Sequence, residues 1–266
     1  HLAAVGLDRT THGFVRGMWR REEITNPMLI SKCCHDIDFL LWLTEARCRK
    51  LSSFGSLRWF RAENAPKGST PRCIDCPLEK ECPYSAVDLY YNRRDWISNF
   101  DVPEGATLDE VILRQLRTGD YGRCVFRCDN DVVDHQQTNL LMEDGSTISF
   151  TMCAFTESCY RYFKAMGTQG EIEADMLSNI IHVREFGKEE ETIDVGKLSS
   201  DLKGHGGGDS GIVNDFLDML INETEATERT TTLEHSLESH FMALAAEESR
   251  LRGGELINMD AFKNGK

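Results

Sequence analysis

The feature that most constrains the fold is a series of short strand-like runs separated by tight turns in the second half of the 266-residue chain. The clearest pair covers residues 138–143 and 146–152 and is joined by Asp144-Gly145. Asp-Gly between two alternating runs favours a type I′ hairpin, in which both turn residues take a positive φ. Further strands are predicted at 161–167, 171–175, 180–185 and 191–195. The pattern predicts an antiparallel sheet built from neighbouring strands.

Helices are predicted on both sides of this strand-rich region. The stretch SKCCHDIDFLLWL begins a helix over residues 31–46 that has little polar surface. Thr107 and Glu110 form a capping box that opens a second helix to about Leu116. Two strands are predicted before that helix, over residues 12–20 and 48–60.

The C-terminal part is predicted to be helical. Asp209 or Ser210 caps a helix to about Asn222, and a capping box at Thr231 opens another to about Leu251. Leu233, Leu237, Phe241 and Leu244 give this last helix an apolar stripe. An early helix, antiparallel strands in the middle and late helices indicate an α+β fold.

Composition excludes several classes of protein. The formal net charge of −14 argues against electrostatic binding to nucleic acid or to an anionic membrane. The longest apolar run, Phe39 to Leu43, is too short to span a bilayer. The first residues do not resemble a secretory signal, so a reducing cytoplasm is expected. The ten cysteines should then be free, buried or bound to metal.

His35 is the first candidate for chemistry. Its expected place in the first turn of its helix, together with partial burial, favours a neutral imidazole that can accept a proton from a hydroxyl. Lys32 lies nearby in sequence, as do Asp36 and Asp38. The alternative is a core or capping histidine, with both aspartates serving the first helical turn.

Three cysteines in a proline-rich loop are the second candidate. Cys73, Cys76 and Cys82 are spaced C-x2-C-x5-C, and the first pair has the spacing of a metal-binding knuckle. A tetrahedral zinc site needs a fourth ligand, for which Cys33, Cys34, Cys124 or Cys128 would have to come from elsewhere in the fold. Free buried thiols are the alternative.

Other polar residues could line a polyol site. Arg16 and Trp19 leave the first predicted strand together, with the indole as an apolar floor; ordinary packing and solvated charge are the alternative. The loop Gly204–Asp209 has four glycines, which allow close approach of the backbone to a ligand contacted by His205. A flexible loop before a helix cap explains it equally well. No G-x-G-x-x-G turn follows a predicted strand, so no dinucleotide fingerprint is present.

Taken together, these segments resemble the C-terminal half of the Gfo/Idh/MocA oxidoreductases over nearly the whole chain. The segments that carry the resemblance are FVRGMWRREE, NPMLISKCCHDIDFLLWL, SSFGSLRWF, RCIDCPLEKECPYSA, YGRCVFRCDNDVVDHQ, GHGGGDSGIVNDF and LESHFMALAAEESR. The resemblance implies an open, mainly antiparallel β-sheet with helices packed on one face. Residues 1–266 would be a single C-terminal substrate-binding and dimerisation domain, with a cysteine-rich loop at 61–84.

The resemblance also implies roles. His35 matches the family histidine that removes a proton from the substrate hydroxyl. Lys32, Arg16, Trp19, His205 and Asp209 are the expected substrate-binding residues. Many members have an Asp four residues before the histidine, where this chain has Ser31. The Rossmann domain and its Glu-Lys-Pro lysine are not among these residues, so the chain alone is not expected to bind NAD or NADP.

Three functions compete. The first is the substrate and dimerisation domain of an NAD(P)-dependent oxidoreductase acting on a sugar, cyclitol or related polyol, in a homodimer or higher homo-oligomer. The second is an NAD-using glycosidase of the same superfamily, which the resemblance of the His-Gly-Gly loop favours. The third is a non-enzymatic binding or oligomerisation module with a structural metal in the cysteine loop.

Overall fold

A nine-stranded β-sheet organises the computed structural model, which describes residues 1–198, 207–222 and 233–265. Its order is β8-β7-β6-β5-β1-β4-β3-β2-β9. The strands are β1 (Leu2–Ala4), β2 (Cys48–Ser56), β3 (His135–Met142), β4 (Thr147–Cys153), β5 (Tyr160–Met166), β6 (Gly170–Asp175), β7 (Ile180–Glu185), β8 (Glu191–Asp194) and β9 (Ile257–Asn258). The β1–β4 pair is parallel and the other pairs are antiparallel. The predicted α+β class with an open, mainly antiparallel sheet is confirmed.

Five α-helices accompany this sheet. They are α1 (Met28–Thr44), α2 (Leu108–Thr118), α3 (Gly208–Asn222), α4 (Leu233–Leu251) and α5 (Met259–Lys263). Single helical turns at Leu7–Arg9 and Val195–Leu198 complete the α-helical segments that the structure describes. Helices α1 and α4 pack against each other, and α4 also packs on β2.

The main core lies between this helix pair and the central strands. Met28, Leu29, Cys33, Ile37 and Leu40 recur at helical spacing along α1, and all five are buried. They share one cluster with four side chains of β3 and β4 and four of α4, namely Leu140, Met142, Phe150, Met152, Met242, Ala243, Ala245 and Ala246. Burial of this stripe fixes the rotation of α1 about its own axis.

Helix α4 buries a different face from the one predicted. Leu233, Leu237 and Leu244 of the predicted stripe are exposed. The side chains that it buries are smaller on average, and include Ser239, Met242, Ala243, Ala246 and Ser249. The Ser249 hydroxyl accepts a hydrogen bond of 2.9 Å from the backbone N–H of Ser53 on β2. Such close approach of the helix to the strand needs small residues at the contact. The capping residue Thr231 lies outside the described residues.

The predicted strand at 12–20 is helical instead. Thr10–Arg16 forms a π-helix, and Met18–Arg20 forms a 3-10 turn. All seven residues of the first segment are buried. The loose apolar alternation was misleading because this segment is enclosed on all sides, which removes the polar–apolar contrast that reports a half-buried strand.

The Asp144-Gly145 hairpin is present, but its turn is of a different type. Strands β3 and β4 pair in the expected antiparallel register. Gly145 has φ of 88°, whereas Asp144 is not among the residues with positive φ. Asp144 instead accepts a 2.9 Å hydrogen bond from the N–H of Ser146 through Oδ1. This side-chain bond stabilises a turn in which only the glycine needs the left-handed conformation.

Residues 57–134 form a long excursion between β2 and β3. The excursion holds one apolar cluster around Tyr90, Ile112 and Leu116, and a second around Phe60 and Phe126. Val15 from the buried π-helix joins the second cluster. The cysteine-rich loop is therefore packed on the start of the chain by a separate set of side chains from those under the sheet.

Among the described residues, no helix is both long and apolar enough to cross a membrane.

Candidate active site

His35 lies about two turns into α1. The helix begins at Met28, seven residues earlier, so the expected first-turn position is wrong. The helix dipole acts mainly within the first turn and has little influence here. The imidazole is also 54% exposed, so burial does not hold it neutral. Its protonation state has to be set by its neighbours.

The residue next to it, Asp36, anchors those neighbours. Its carboxylate is 2% exposed and forms a two-pronged ion pair with Arg161 of β5. Arg161 Nη2 donates to Asp36 Oδ2 at 2.8 Å, and Arg161 Nε donates to Oδ1. His1 Nε2 also lies 2.8 Å from Oδ1. The bidentate geometry locks the guanidinium in one orientation beneath α1.

Arg161 connects this buried pair to His35. Its Nη2 lies 2.9 Å from His35 Nε2. A guanidinium only donates hydrogen bonds, so this contact requires a lone pair on Nε2 and therefore a neutral imidazole with its proton on Nδ1. Asp36 Oδ2 lies 3.3 Å from the same nitrogen and can receive an N–H there once the ring is protonated. The pair supports both protonation states of one exposed histidine.

Lys32 stands one turn before His35 on the same face of α1. Burial lowers the pKa of its ammonium group. The Cys159 thiol opposes that shift, while the charges of Arg161 and Arg9 add to it. A half-buried ammonium with positive neighbours is costly to keep charged, so this face of the helix attracts hydroxyl oxygens and anions.

The other expected substrate residues are not all brought to this cluster. Trp19 is half-buried, with its ring stacked on Phe14 at 5.6 Å and the Arg9 guanidinium carbon 5.9 Å from its centre. Asp209 is exposed in the first turn of α3. His205 lies outside the described residues, so the expected role of the glycine-rich loop stays a prediction.

Arg16 occupies an interior position in the excursion. Its side chain is completely buried. It donates to the backbone carbonyls of Arg123 at 2.8 Å and Tyr84 at 2.6 Å, and to the Sγ of Cys73 at 3.6 Å. A guanidinium enclosed in this way cannot meet a substrate from solvent, so its contacts give it a structural role instead of the expected substrate-binding one.

Cys73, Cys76 and Cys82 line one cleft in the cysteine-rich loop, and the thiol of Cys124 joins them there. All ten cysteines are free. Within the described ranges, no three side chains of His, Cys, Asp or Glu stand in a ready metal-binding arrangement. The loop therefore gathers the predicted ligands on one surface without setting them at metal-ligand distances.

Sequence reasoning placed Asp36 near His35 but missed its burial and its pairing with Arg161. Asp36 shares the buried stripe of α1, three residues after Cys33 and four before Leu40. A carboxylate on a buried stripe needs a cation, and that signal could have marked it. Nothing local identifies Arg161 as the partner, since it lies 125 residues away on β5.

Comparison with solved structures shows that the fold is shared with several proteins, two of which are named as an oxidoreductase or a dehydrogenase. A super-repressor mutant of Gal80p from Saccharomyces cerevisiae aligns over 98% of this chain, with 11% identity and a TM-score of 0.58. Levoglucosan dehydrogenase in complex with NADH and levoglucosan aligns over 97%, with 13% identity and a TM-score of 0.57. An oxidoreductase from Agrobacterium radiobacter in complex with NAD+, L-tartaric acid and magnesium aligns over 98%, with 13% identity and a TM-score of 0.55.

The match covers only part of each of these proteins. This chain spans 57%, 57% and 56% of their lengths respectively. No protein-family model matches the chain, and no curated protein matches it either. At identities of 11–13% the likeness establishes a common fold and leaves function to the side chains.

Proposed function

From the fold that it shares with the C-terminal part of Gfo/Idh/MocA-type oxidoreductases, we propose that this chain is the substrate domain of an NAD(P)-dependent oxidoreductase acting on a sugar, cyclitol or related polyol. The observation that carries the proposal is the exposed His35 imidazole, held neutral by Arg161, which is itself anchored on the buried Asp36. This arrangement presents a proton acceptor on an accessible helix face.

The proposed role of His35 is to accept the proton of a substrate hydroxyl at Nε2. A hydroxyl that binds this nitrogen displaces Arg161 Nη2, while the remaining bonds to Asp36 keep the guanidinium in place. After proton transfer, the new Nε2–H faces Asp36 Oδ2, now 3.3 Å away. The imidazolium therefore forms beside a carboxylate that stabilises it. Lys32 would hold a neighbouring hydroxyl oxygen.

The nicotinamide cofactor does not fit the residues of this chain. The sequence has no glycine-rich strand-to-helix turn of the dinucleotide-binding type. The proposal therefore places the cofactor, which would exchange the hydride, on a part of the protein outside these residues. The choice between NAD and NADP follows from that part.

The test is dehydrogenase activity of the full-length protein with NAD+ and NADP+ against a panel of sugars, cyclitols and polyols. His35→Ala should lower kcat/KM by about 10²- to 10⁴-fold, the usual contribution of a positioned general base. The pH profile of the wild-type protein should lose its acidic limb in this variant.

The matched control is His240→Ala, since His240 is also an exposed histidine on a helix and hydrogen-bonds only locally to the Ser236 carbonyl oxygen. It should keep wild-type kinetics. An active wild-type enzyme in which His35→Ala and His240→Ala behave alike would overturn the role of His35. Absence of any reduction of NAD+ or NADP+ across the panel would overturn the oxidoreductase proposal.

A non-enzymatic binding module is the second candidate. The observation in its favour is that the fold also occurs in a super-repressor mutant of Gal80p. Sugar binding without turnover would support it, measured by calorimetry with the same panel. The glycosidase hypothesis rests on His205, outside the described residues, so no structural observation favours it.

Self-association also stays a prediction of the resemblance. Light scattering of the full-length protein tests it, with a homodimer or larger homo-oligomer expected. A monomer at micromolar concentration would contradict it.

A further inference from the structure

The excursion encloses a buried cation that comes from the π-helix and lacks a counter-charge. The Arg16 side chain is completely buried, and no carboxylate among the described residues pairs with it. Its Nη1 is buried without a hydrogen-bond partner, and its Nη2 points at the Cys73 sulfur. Proteins rarely leave a buried charge uncompensated, because desolvation of an isolated ion is very costly. The position of this guanidinium points to a negative group at the thiols.

Four thiols are available at that point. Cys73, Cys76, Cys82 and Cys124 line the same cleft, which has a volume of about 360 Å³. The Cys73 Sγ lies 3.8 Å from the carbonyl oxygen of Arg123, so this thiol reaches the residue that directly precedes Cys124. Four is the ligand number of a structural zinc site.

Backbone hydrogen bonds hold these cysteines near one another. The N–H of Cys76 donates to the carbonyl of Cys73 at 3.1 Å, and this turn sets both side chains at neighbouring positions. The N–H of Cys124 donates to the Pro71 carbonyl at 2.9 Å, and Arg72 pairs with Arg123 in an antiparallel bridge. The fourth ligand that the loop lacks in sequence is thus supplied 51 residues downstream from Cys73.

We propose that Cys73, Cys76, Cys82 and Cys124 bind one Zn²⁺ ion, and that Arg16 balances the charge of the resulting centre. The thiols now stand apart from metal-ligand distances, so binding draws the loop onto the Cys124 segment until each sulfur lies about 2.3 Å from the metal. Four S–H protons leave to solvent as four Zn–S bonds form. The centre carries a charge of −2, which Arg16 halves.

The test measures metal content in the full-length protein purified under reducing conditions and reconstituted with ZnCl₂. We expect about one zinc per chain, and at least a tenfold lower content in Cys76→Ser and Cys124→Ser. Cys128→Ser is the matched control. It removes a nearby half-buried thiol that donates to the Cys124 carbonyl but does not line the cleft, so zinc content should be unchanged.

A second measurement on the wild-type protein covers the case in which the serine variants do not fold. Titration of the thiols to completion with a mercurial reagent should release about one zinc per chain, as followed by a zinc indicator dye. Cobalt substitution should give the intense thiolate-to-cobalt absorption of a tetrahedral sulfur site.

Several results would overturn the proposal. They are an absence of stoichiometric zinc after reconstitution, iron in its place, a disulfide among these cysteines in the reduced preparation, or loss of zinc in Cys128→Ser with retention in Cys124→Ser. Dehydrogenase activity plays no part in these measurements, so failure of the functional proposal would not change them.

Discussion

Two arginines differ in how the surrounding region of the molecule compensates their charge. Arg161, under α1, is paired with the buried carboxylate of Asp36 and reaches the exposed His35 with its remaining donor. Arg16, in the excursion, donates to two carbonyls and a thiol and leaves Nη1 without a partner. The first region balances its charge within the chain, whereas the second leaves a place for an anionic group.

This difference separates the two regions by the kind of ligand they suit. The Arg161–Asp36 ion pair is balanced within the chain and orients the adjacent His35 without a further ligand. This arrangement suits a proton acceptor whose substrate is a neutral polyol. An unbalanced cation beside four thiols suits a metal whose thiolate complex is negative. Substitutions at Asp36, His12, Arg16 and Lys32 test this contrast.

Removal of the carboxylate under α1 should have the largest effect on stability. Asp36→Asn leaves the Arg161 charge buried without its partner, and we expect a loss of about 3–5 kcal/mol in the free energy of unfolding. Urea denaturation measures it. The control is Glu23→Gln, which breaks the exposed Arg21–Glu23 pair at 2.9 Å and should cost less than about 1 kcal/mol. Equal effects in the two variants would show that Asp36 does not anchor the site.

His12 of the buried π-helix should make the stability of the protein depend markedly on pH. Burial, followed by the charges of Arg16 and Arg9, lowers the pKa of His12 to about 4, and its Nδ1 lies 3.0 Å from the Tyr90 hydroxyl. Between pH 6.5 and 4 the unfolded chain binds a proton that the folded chain does not, so stability falls as the pH is lowered. We expect this to account for about 2–3 kcal/mol over that range.

His12→Gln tests that dependence, because it keeps a hydrogen-bonding group but removes the titration. Its unfolding free energy, measured between pH 7 and 4, should fall less steeply than that of the wild-type protein. The exposed His240 provides the comparison, and His240→Gln should retain the wild-type slope. Identical slopes in all three proteins would show that His12 titrates normally.

The cost of removing Arg16 should depend on zinc. In the zinc-loaded protein its charge faces a dianion, so Arg16→Met should cost about 1.5 kcal/mol more than in chelator-treated protein, the size of a hydrogen bond to a charged group. Thermal unfolding of both proteins, with zinc and with chelator, gives the four values. An equal cost of Arg16→Met with zinc and with chelator would mean that the guanidinium does not interact with the thiol site.

Substitution of Lys32 should give the smallest change in stability, and this change should be stabilising. Burial lowers the pKa of its ammonium, so the folded chain bears a cost wherever the unfolded lysine is charged, which includes pH 7. Lys32→Met should therefore raise the unfolding free energy, by less than about 1 kcal/mol because the group is only partly buried. The same variant should raise KM for the polyol substrate. A destabilised variant with unchanged KM would contradict both expectations.

Much of the fold could be predicted from local signals. Alternation and turn residues located strands β3 to β8 within three residues at each end. The capping box at Thr107 was confirmed. Thr107 Oγ1 accepts a hydrogen bond from the Glu110 N–H, and the Glu110 carboxylate accepts one from the Thr107 N–H. These features depend on neighbours within a few residues, so the sequence contains all of the information that sets them.

Local sequence patterns gave wrong or missing predictions where a segment is enclosed by distant parts of the chain. The π-helix at Thr10–Arg16 was taken for a strand, because a fully buried segment shows no reliable period. The three-residue strand β1 was not predicted at all, since its parallel pairing with β4 joins residues about 149 positions apart. The apolar stripe of α4 was assigned to the wrong side because the close approach to β2 selects small residues over large ones.

The amino-acid types along the chain show which side chains are capable of chemistry, whereas the packing of the whole chain selects which of them meet. His35 and the three cysteines of the loop were identifiable from residue type and spacing. Their partners were not, since Arg161 reaches His35 across 126 residues and Arg16 reaches Cys73 across 57. The physical reason is range: caps and turns are set by hydrogen bonds between near neighbours, whereas a buried charge takes its partner from whichever strand or loop the packing of the core brings beside it.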